Sequence, residues 1–138
     1  MKILTFIPAR RGSQGIKNKN MFFLNKKPLI YYTLKIAKKL NKYAYPFVST
    51  DSQKILSYSK KFGFKNNYLR PKILSKDSSD LIQAIDHGVS WFKKNHDIKF
   101  NVILLLQPTT PIRQLKDLKL AINQFKKNSI MKKLLILL

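Results

Sequence analysis

The spacing of apolar positions changes period several times along the chain, and each change marks an element. Ile3, Leu4, Phe6 and Ile7 crowd into Lys2–Ile7 and Pro8 follows, which predicts a short buried strand. Pro28 is a residue tolerated in the first turn of a helix. After it Leu29, Ile30, Thr33, Leu34, Ile36, Ala37 and Leu40 keep helical spacing, with Lys35, Lys38 and Lys39 on the solvated side. Tyr45–Ser49 reads as a second strand. Asp51 and Ser52 open a second helix carrying Ile55, Leu56, Tyr58 and Phe62, which stops at Gly63. A brief strand is expected near Phe64–Leu69, before Arg70-Pro71 and a polar stretch. Ser79–Lys94 predicts a third helix with Leu81, Ile82, Ile85, Val89 and Phe92 on one stripe. The continuous run Val102–Leu106 suits a central strand covered on both faces. Pro108 to Pro111 interrupt the chain, and Leu115, Leu118, Ala121, Ile122 and Phe125 mark a fourth helix.

This alternation of strands and helices predicts a three-layer α/β/α domain with a mostly parallel sheet. In such sheets a ligand sits outside the carboxyl ends of the strands. The loops Pro8–Asn20, Ser49–Ser52 and Gln107–Arg113 lie at that edge, and Arg70–Ser79 is a candidate fourth. A chain of 138 residues is enough for one such domain. The reading assigns 1–127 to it and sets apart 128–138 as an atypical apolar tail.

Composition narrows the class. The 44% hydrophobic and 12% aromatic content excludes a disordered polyelectrolyte despite a net charge of +22. The 28 cationic residues are 24 Lys and 4 Arg, and Lys is spread over every segment. A dedicated nucleic-acid binder concentrates its basic residues on one face and includes Arg for bidentate contacts. The excess of Lys, Asn and Ile therefore reads as the imprint of an A/T-rich coding sequence, and no specific nucleic-acid partner is expected. Without cysteine there is neither a disulfide framework nor a thiolate metal site, which fits a cytoplasmic protein. The longest apolar runs, Val102–Leu106 and Leu134–Leu138, fall far short of the roughly 18 residues that span a bilayer, and no membrane partner is expected.

The loop Pro8–Asn20 carries the clearest chemistry. Gly12 and Gly15 let backbone N–H groups turn toward an anion, and Arg10, Arg11, Lys17 and Lys19 surround them with positive charge. Arginine offers a fork of donors to phosphate oxygens, and lysine a mobile point charge. The loop lacks the Gly-Lys-Ser/Thr of a Walker motif and the third glycine of a dinucleotide fingerprint.

Ile7-Pro8-Ala9-Arg10-x-Gly12-Ser13-x-Gly15-Ile16-x-x-Lys19-Asn20, followed by Lys27-Pro28-Leu29-Ile30, resembles the opening of the CMP-sialic acid synthetase (acylneuraminate cytidylyltransferase) family. Further blocks arrive in that family's order: Val48-Ser49-Thr50-Asp51, Arg70-Pro71 with Ser75-Lys76-Asp77-Ser78-Ser79, and Leu105-x-Gln107-Pro108-Thr109-Thr110-Pro111-x-Arg113. The resemblance covers residues 2 to about 127. It implies a nucleotide-diphospho-sugar transferase (Rossmann-like) fold and a magnesium-dependent transfer of CMP from CTP to a nine-carbon nonulosonic acid, with pyrophosphate released. It further implies that Arg10 and Lys19 contact the phosphates and act in catalysis. Arg10, Gly12, Ser13, Asn20, Arg70 and Ser79 would bind the nucleotide, and Gln107 the acceptor sugar. Full-length relatives are expected to be homodimers. Beside these roles stand plainer ones: Asp51 capping the second helix instead of joining a ligand shell, Arg70 as a solvated turn residue, and Gln107 tying down a loop. Thr109 and Thr110 read as turn and cap residues, His87 and His96 as structural or solvated, and Trp91 as packing. Two other functions stay open, a cytidylyltransferase for an eight-carbon acid sugar and a non-catalytic basic nucleotide- or nucleic-acid-binding module.

Three departures from the family stand out. Gln14 occupies a position that usually carries Lys, with Arg11 nearby as a compensating charge. Leu81 stands where a small hydroxyl residue often lies near the base pocket, leaving base recognition to Ser78, Ser79 and backbone. The acidic pair that would hold Mg²⁺ is expected in a C-terminal half this sequence does not include, so no metal ligand is assigned. The segment 128–138 matches nothing in the family there, and it reads either as the product of a shifted or prematurely ended frame or as a tail that packs on the sheet or a partner. Without the missing strands, an uncovered sheet edge is expected.

Overall fold

The computed structural model describes residues 1–128 and the backbone of 135–136. Strand β1 (Ile3–Pro8) leads through a single turn of 3₁₀ helix (Lys19–Met21) and a two-stranded hairpin, β2 (Phe23–Leu24) and β3 (Lys27–Pro28), into helix α1 (Leu29–Lys39). Then follow β4 (Tyr45–Ser49), α2 (Gln53–Lys60), a 3₁₀ turn (Lys72–Leu74), α3 (Leu81–His96), β5 (Val102–Leu105), α4 (Leu115–Lys127) and β6 (Leu135–Ile136). The main sheet has the order β4-β1-β5-β6 and every pairing in it is parallel. Most of the tail singled out from sequence lies outside the described residues, but Leu135–Ile136 pairs with Leu104 and Leu105 on the edge of β5.

The continuous apolar strands exist because both sheet faces are covered. Strand side chains alternate between faces. On one face Ile3, Ile7, Val48, Val102, Leu104 and Leu106 pack with Ile30, Leu34 and Ala37 of α1, Ile55 of α2, and Leu118, Ile122 and Phe125 of α4. On the other, Leu4, Phe6, Phe47, Ile103 and Leu105 pack with Ile85 and Phe92 of α3 and with Tyr68. Each side chain fully buried this way contributes about 1.5–3 kcal/mol. The two clusters are chemically different. The first is almost wholly aliphatic. The second is a web of rings in which Phe47 lies 5.6 Å from Phe6, 5.1 Å from Tyr68 and 5.8 Å from Phe92. Gly88 lets α3 approach these rings closely, since a Cβ there would stand 2.9 Å from both Phe6 and Phe47.

The predicted helices form at the predicted places, with shifts at their ends. Helix α3 begins two residues later than expected because Asp80 caps it, accepting the Ile82 N–H at 2.9 Å. Ile82, placed on the apolar stripe by spacing, is 49% exposed, and Ala84 and Gly88 take the buried positions instead. Phe64–Leu69 is not a strand. It alternates buried and exposed residues as a strand does, with Phe64, Asn66 and Tyr68 inside. However, it meets the sheet edge through side-chain hydrogen bonds, not a backbone ladder: Asn66 Nδ2 donates to Val48 O at 3.1 Å. The hairpin was not anticipated. Asn25 and Lys26 both take left-handed φ (48° and 65°), the pattern of a tight two-residue turn without the usual glycine.

Candidate functional site

At the carboxyl ends of β1 and β5 a cavity of about 310 Å³ opens. Its walls come from three of the loops expected there: Pro8, Arg10, Gly12, Ser13, Lys19 and Asn20; then Arg70, Leu74, Lys76, Asp77, Ser79 and Asp80; then Gln107, Pro108 and Thr109, with Leu81 and Ala84 of α3 behind. Arg10, Gly12, Ser13, Lys19, Asn20, Arg70, Ser79 and Gln107 all line this one cavity, whereas Arg11, Gly15, Lys17 and Asp51 do not. Ser49–Ser52 does not line it but braces its walls from beneath.

The first wall is a loop clamped at its start and free further on. Ala9 N–H bonds Ser49 O at 2.9 Å, Asn20 Nδ2 donates to Arg10 O at 3.0 Å, and Asp51 Oδ1 accepts the Arg11 N–H at 2.6 Å. Asn20, buried at 9% exposure, thus spends its amide on the loop. Ser13 Oγ donates within the loop to Ile16 O. Gly15 adopts φ 85°, which disfavours any side chain, whereas at Gly12 the position of a Cβ is open space on the cavity wall. A side chain at Gly12 would therefore occupy ligand volume. Arg10 reaches across the mouth to Asp77, Nη1 to Oδ1 at 2.5 Å, in a partly exposed ion pair.

The second wall is organised around Arg70, which is not a solvated turn residue: it is only 6% exposed. Its Nε donates to Ser49 Oγ at 2.9 Å, its Nη2 to Ser49 O at 2.5 Å, and its Nη1 reaches Leu74 O at 3.5 Å. Its backbone N–H bonds Thr50 O at 2.7 Å. Among the described residues Arg70 has no ion-pair partner. Burial pulls its pKa down, Tyr68 and Asp51 hold it up, and Arg10 opposes them. The guanidinium is thus a cation fixed in the wall by neutral acceptors, leaving its charge uncompensated at close range. Ser79 staples the same stretch, donating from Oγ to Ile73 O at 2.9 Å and accepting the Lys76 N–H at 3.0 Å.

In the third wall Arg113 does the tying that was the plainer option for Gln107. Arg113 Nη2 donates to Gln107 O at 2.6 Å and Nη1 to Thr33 Oγ1 at 3.3 Å, so the Gln107 backbone is held while its amide side chain lines the cavity. Burial lowers the Arg113 pKa. Asp51 is not a helix cap: Ser52 caps α2, accepting the Ile55 N–H at 3.3 Å. His87 Nδ1 pairs with the Tyr68 hydroxyl at 2.9 Å, and His96 stacks on Phe92 with centroids 4.5 Å apart. Both histidines are thus accounted for by structural contacts.

The residues that sequence reasoning missed are Asp77, Lys76 and Asp80. The first two stand in the Ser75–Ser79 block of the candidate Arg70–Ser79 loop but carried no assigned role, which appears once Arg10 is seen to need an anion. Asp80 could have been found as an N-cap before an apolar stripe. A magnesium ion is not well served by these groups. Asp77 is committed to Arg10 and Asp80 to the α3 cap, and among the described residues no group of three or more His, Asp or Glu side chains stands ready to hold a metal.

A parallel sheet covered on both faces, with a cation-lined cavity at its carboxyl edge and a glycine loop after the first strand, defines a three-layer α/β/α domain. The family model for cytidylyltransferases matches residues 4–135, and the chain belongs to that family. It is 36% identical over 122 residues to the CMP-N,N'-diacetyllegionaminic acid synthase of Legionella pneumophila, spanning 88% of this chain and 52% of that one. It is 35% identical over 112 residues to the N-acylneuraminate cytidylyltransferase of Escherichia coli, covering 81% of this chain and 25% of the relative. The chain thus spans about half or less of these relatives. A solved structure of CMP:2-keto-3-deoxy-manno-octonic acid synthetase complexed with CTP superposes at a TM-score of 0.74 over 95% of this chain and 50% of that one, at 20% identity, which speaks for the fold. No helix among the described residues is long and apolar enough to cross a membrane.

Proposed function

We propose that the cavity binds CTP and that the chain is the nucleotide-binding part of a machinery that transfers CMP from CTP to a nonulosonic acid. The observation that carries this reading is the convergence of Arg10, Gly12, Ser13, Lys19, Asn20, Arg70, Ser79 and Gln107 on one cavity, from segments far apart in sequence. The named relatives support the sugar class, since their names specify legionaminic and neuraminic acids.

In this reading the sugar's anomeric hydroxyl attacks the α-phosphorus, the new O–P bond forms, and the bond to the β-phosphate oxygen breaks to release pyrophosphate. Charge builds on the non-bridging and leaving oxygens, so cations aimed at them lower the barrier. Arg10 and Lys19 take that role, with Arg70 as a static positive charge behind them. Arg10 must exchange Asp77 for phosphate, a swap that a partly exposed ion pair, worth about 0–1 kcal/mol, permits at little cost. Gly12 and Ser13 leave room for the phosphates, Asn20 holds the loop's shape, and Ser79 shapes the opposite wall. Gln107 presents an amide that both donates and accepts to a polyhydroxylated acceptor. Magnesium, which this chemistry calls for, would draw its ligands from groups beyond those described above. CTP as substrate and a chain without cysteine both suit the cytoplasm.

Isothermal titration of the folded chain with CTP, with and without Mg²⁺, tests the binding claim, and saturable one-to-one binding is expected. No heat at millimolar nucleotide would overturn it. Pyrophosphate release with CTP and a sialic-type sugar tests whether this chain alone turns over.

A further inference from the structure

We propose that Asp51 is a positioning residue for the nucleotide loop: its carboxylate fixes the backbone at Arg11 and so sets where Arg10 and the Gly12–Ser13 backbone stand in the cavity. This rests on the cavity binding a nucleotide, as proposed above.

The position of Asp51 excludes the simpler roles. It stands directly before Ser52, which caps α2 by itself, so the helix does not use its carboxylate. It does not line the cavity either. It lines two recesses beside the loop, one with Arg11 and Lys17 and one that also takes in Gly12 and Ser13. What it does is accept the Arg11 N–H at 2.6 Å, joining residues 40 apart in sequence.

That bond closes a clamp around Arg10. The N–H before it, on Ala9, goes to Ser49 O at 2.9 Å; its own carbonyl takes the Asn20 amide at 3.0 Å; the N–H after it goes to Asp51. Two of the three tethers come from Ser49 at the end of β4 and from Asp51 between β4 and α2, so the rigid sheet holds the loop. The clamp matters because the residues that follow have little to hold them. A Cβ on Gly12 would meet only open space and Gly15 sits at φ 85°, and glycine loses more freedom on ordering than any other residue. Fixing Ala9–Arg11 in advance reduces the ordering that a triphosphate must impose.

The charge of Asp51 is a liability for this task. A carboxylate close behind a polyphosphate site repels the ligand, and its usefulness lies in the acceptor oxygen. Its charge also helps to hold the buried Arg70 protonated, but Arg70 keeps its Ser49 acceptors regardless. The acceptor and the charge can be separated: Asp51→Asn keeps an oxygen for the Arg11 N–H without charge, and Asp51→Ala removes both.

The test compares the full chain with D51N and D51A by CTP titration and by amide hydrogen exchange. D51A should bind CTP about tenfold more weakly than D51N, the loss of one hydrogen bond to the Arg11 N–H. Its Arg11 amide should exchange faster while the Ser52-capped Ile55 amide stays protected. D51N should bind at least as tightly as the unaltered chain. CTP affinity in a folded D51A no weaker than in D51N overturns the proposal. Should D51A fail to fold, a tenfold loss in D51N overturns it just as well, since that variant keeps the acceptor. If the unaltered chain does not bind CTP, the functional reading itself falls. Arg11 exchange, which needs no ligand, then shows separately whether the clamp exists.

Discussion

Arg10 and Arg70 line the same cavity from opposite walls, and the two walls use their arginines differently. Arg10 leaves a clamped backbone as a mobile, partly exposed arm whose partner, Asp77, is itself half exposed. Arg70 is buried, and its guanidinium is shared among Ser49 and the Leu74 carbonyl. The Pro8–Asn20 wall is therefore fixed in backbone and free in side chain, while the Arg70–Asp80 wall is held together by the very cation that gives it charge. One arginine can exchange partners for a ligand; the other cannot leave without dismantling its wall. A positive cavity needs both kinds, a fixed charge that sets the potential and a movable one that makes the contact.

The strongest way to break this contrast is Arg70→Ala. It should cost about 3 kcal/mol of folding stability, because Ser49 Oγ, Ser49 O and Leu74 O lose their buried donor together with the link between β4 and the 71–79 turn. Chemical denaturation checks this, and a loss below ~1 kcal/mol would mean the guanidinium is no strut. Arg10→Ala should do the opposite: folding stability within ~1 kcal/mol of the unaltered chain, but CTP affinity weakened about tenfold to a hundredfold in calorimetric titration. Equal effects of the two substitutions on stability would erase the distinction.

A smaller effect sharpens the comparison at the base of the Arg70 wall. Burial raises the Tyr68 phenol pKa above its ordinary 10.0, against the opposing pull of Ser49 and Arg70. A phenol raised in the folded state keeps its proton there after the unfolded chain has lost it, so its contribution is intact below pH 10.0 and is lost as pH rises through the folded value. Thermal melts should therefore show a steeper alkaline loss of stability in the unaltered chain than in Tyr68→Phe, by a few tenths of a kcal/mol per pH unit. Parallel pH profiles would show that Tyr68 is not the group responsible.

Much of the cavity's lining is legible in the sequence: glycines and cations after a first strand announce an anion loop, and the blocks around Asn20, Arg70, Ser79 and Gln107 fall in the loops at the same sheet edge. What stayed hidden was the division of labour. A sequence shows that Arg10 and Arg70 are cations, but exposure decides which can exchange partners, and exposure follows from packing. The same limit applied to Asp51, whose partner is a backbone N–H 40 residues away and leaves no mark in side-chain pattern. Phe64–Leu69 has the alternation of a strand, yet Asn66 meets β4 at Val48 by its side chain and not by a backbone ladder.

The sequence by itself determined the parallel three-layer plan, because continuous apolar strands and one-sided helices can bury their surfaces in few other ways. It also determined which loops hold the polar groups, since strand ends and loop order follow from that plan. The tertiary structure alone decided which of those groups are spent and which are available. Hydrogen bonds between residues distant in the chain form only after the layers have packed, and at this edge they take Asn20, Arg70, Ser79 and Asp51 for the scaffold, leaving Arg10, Lys19 and the Gln107 amide facing the cavity.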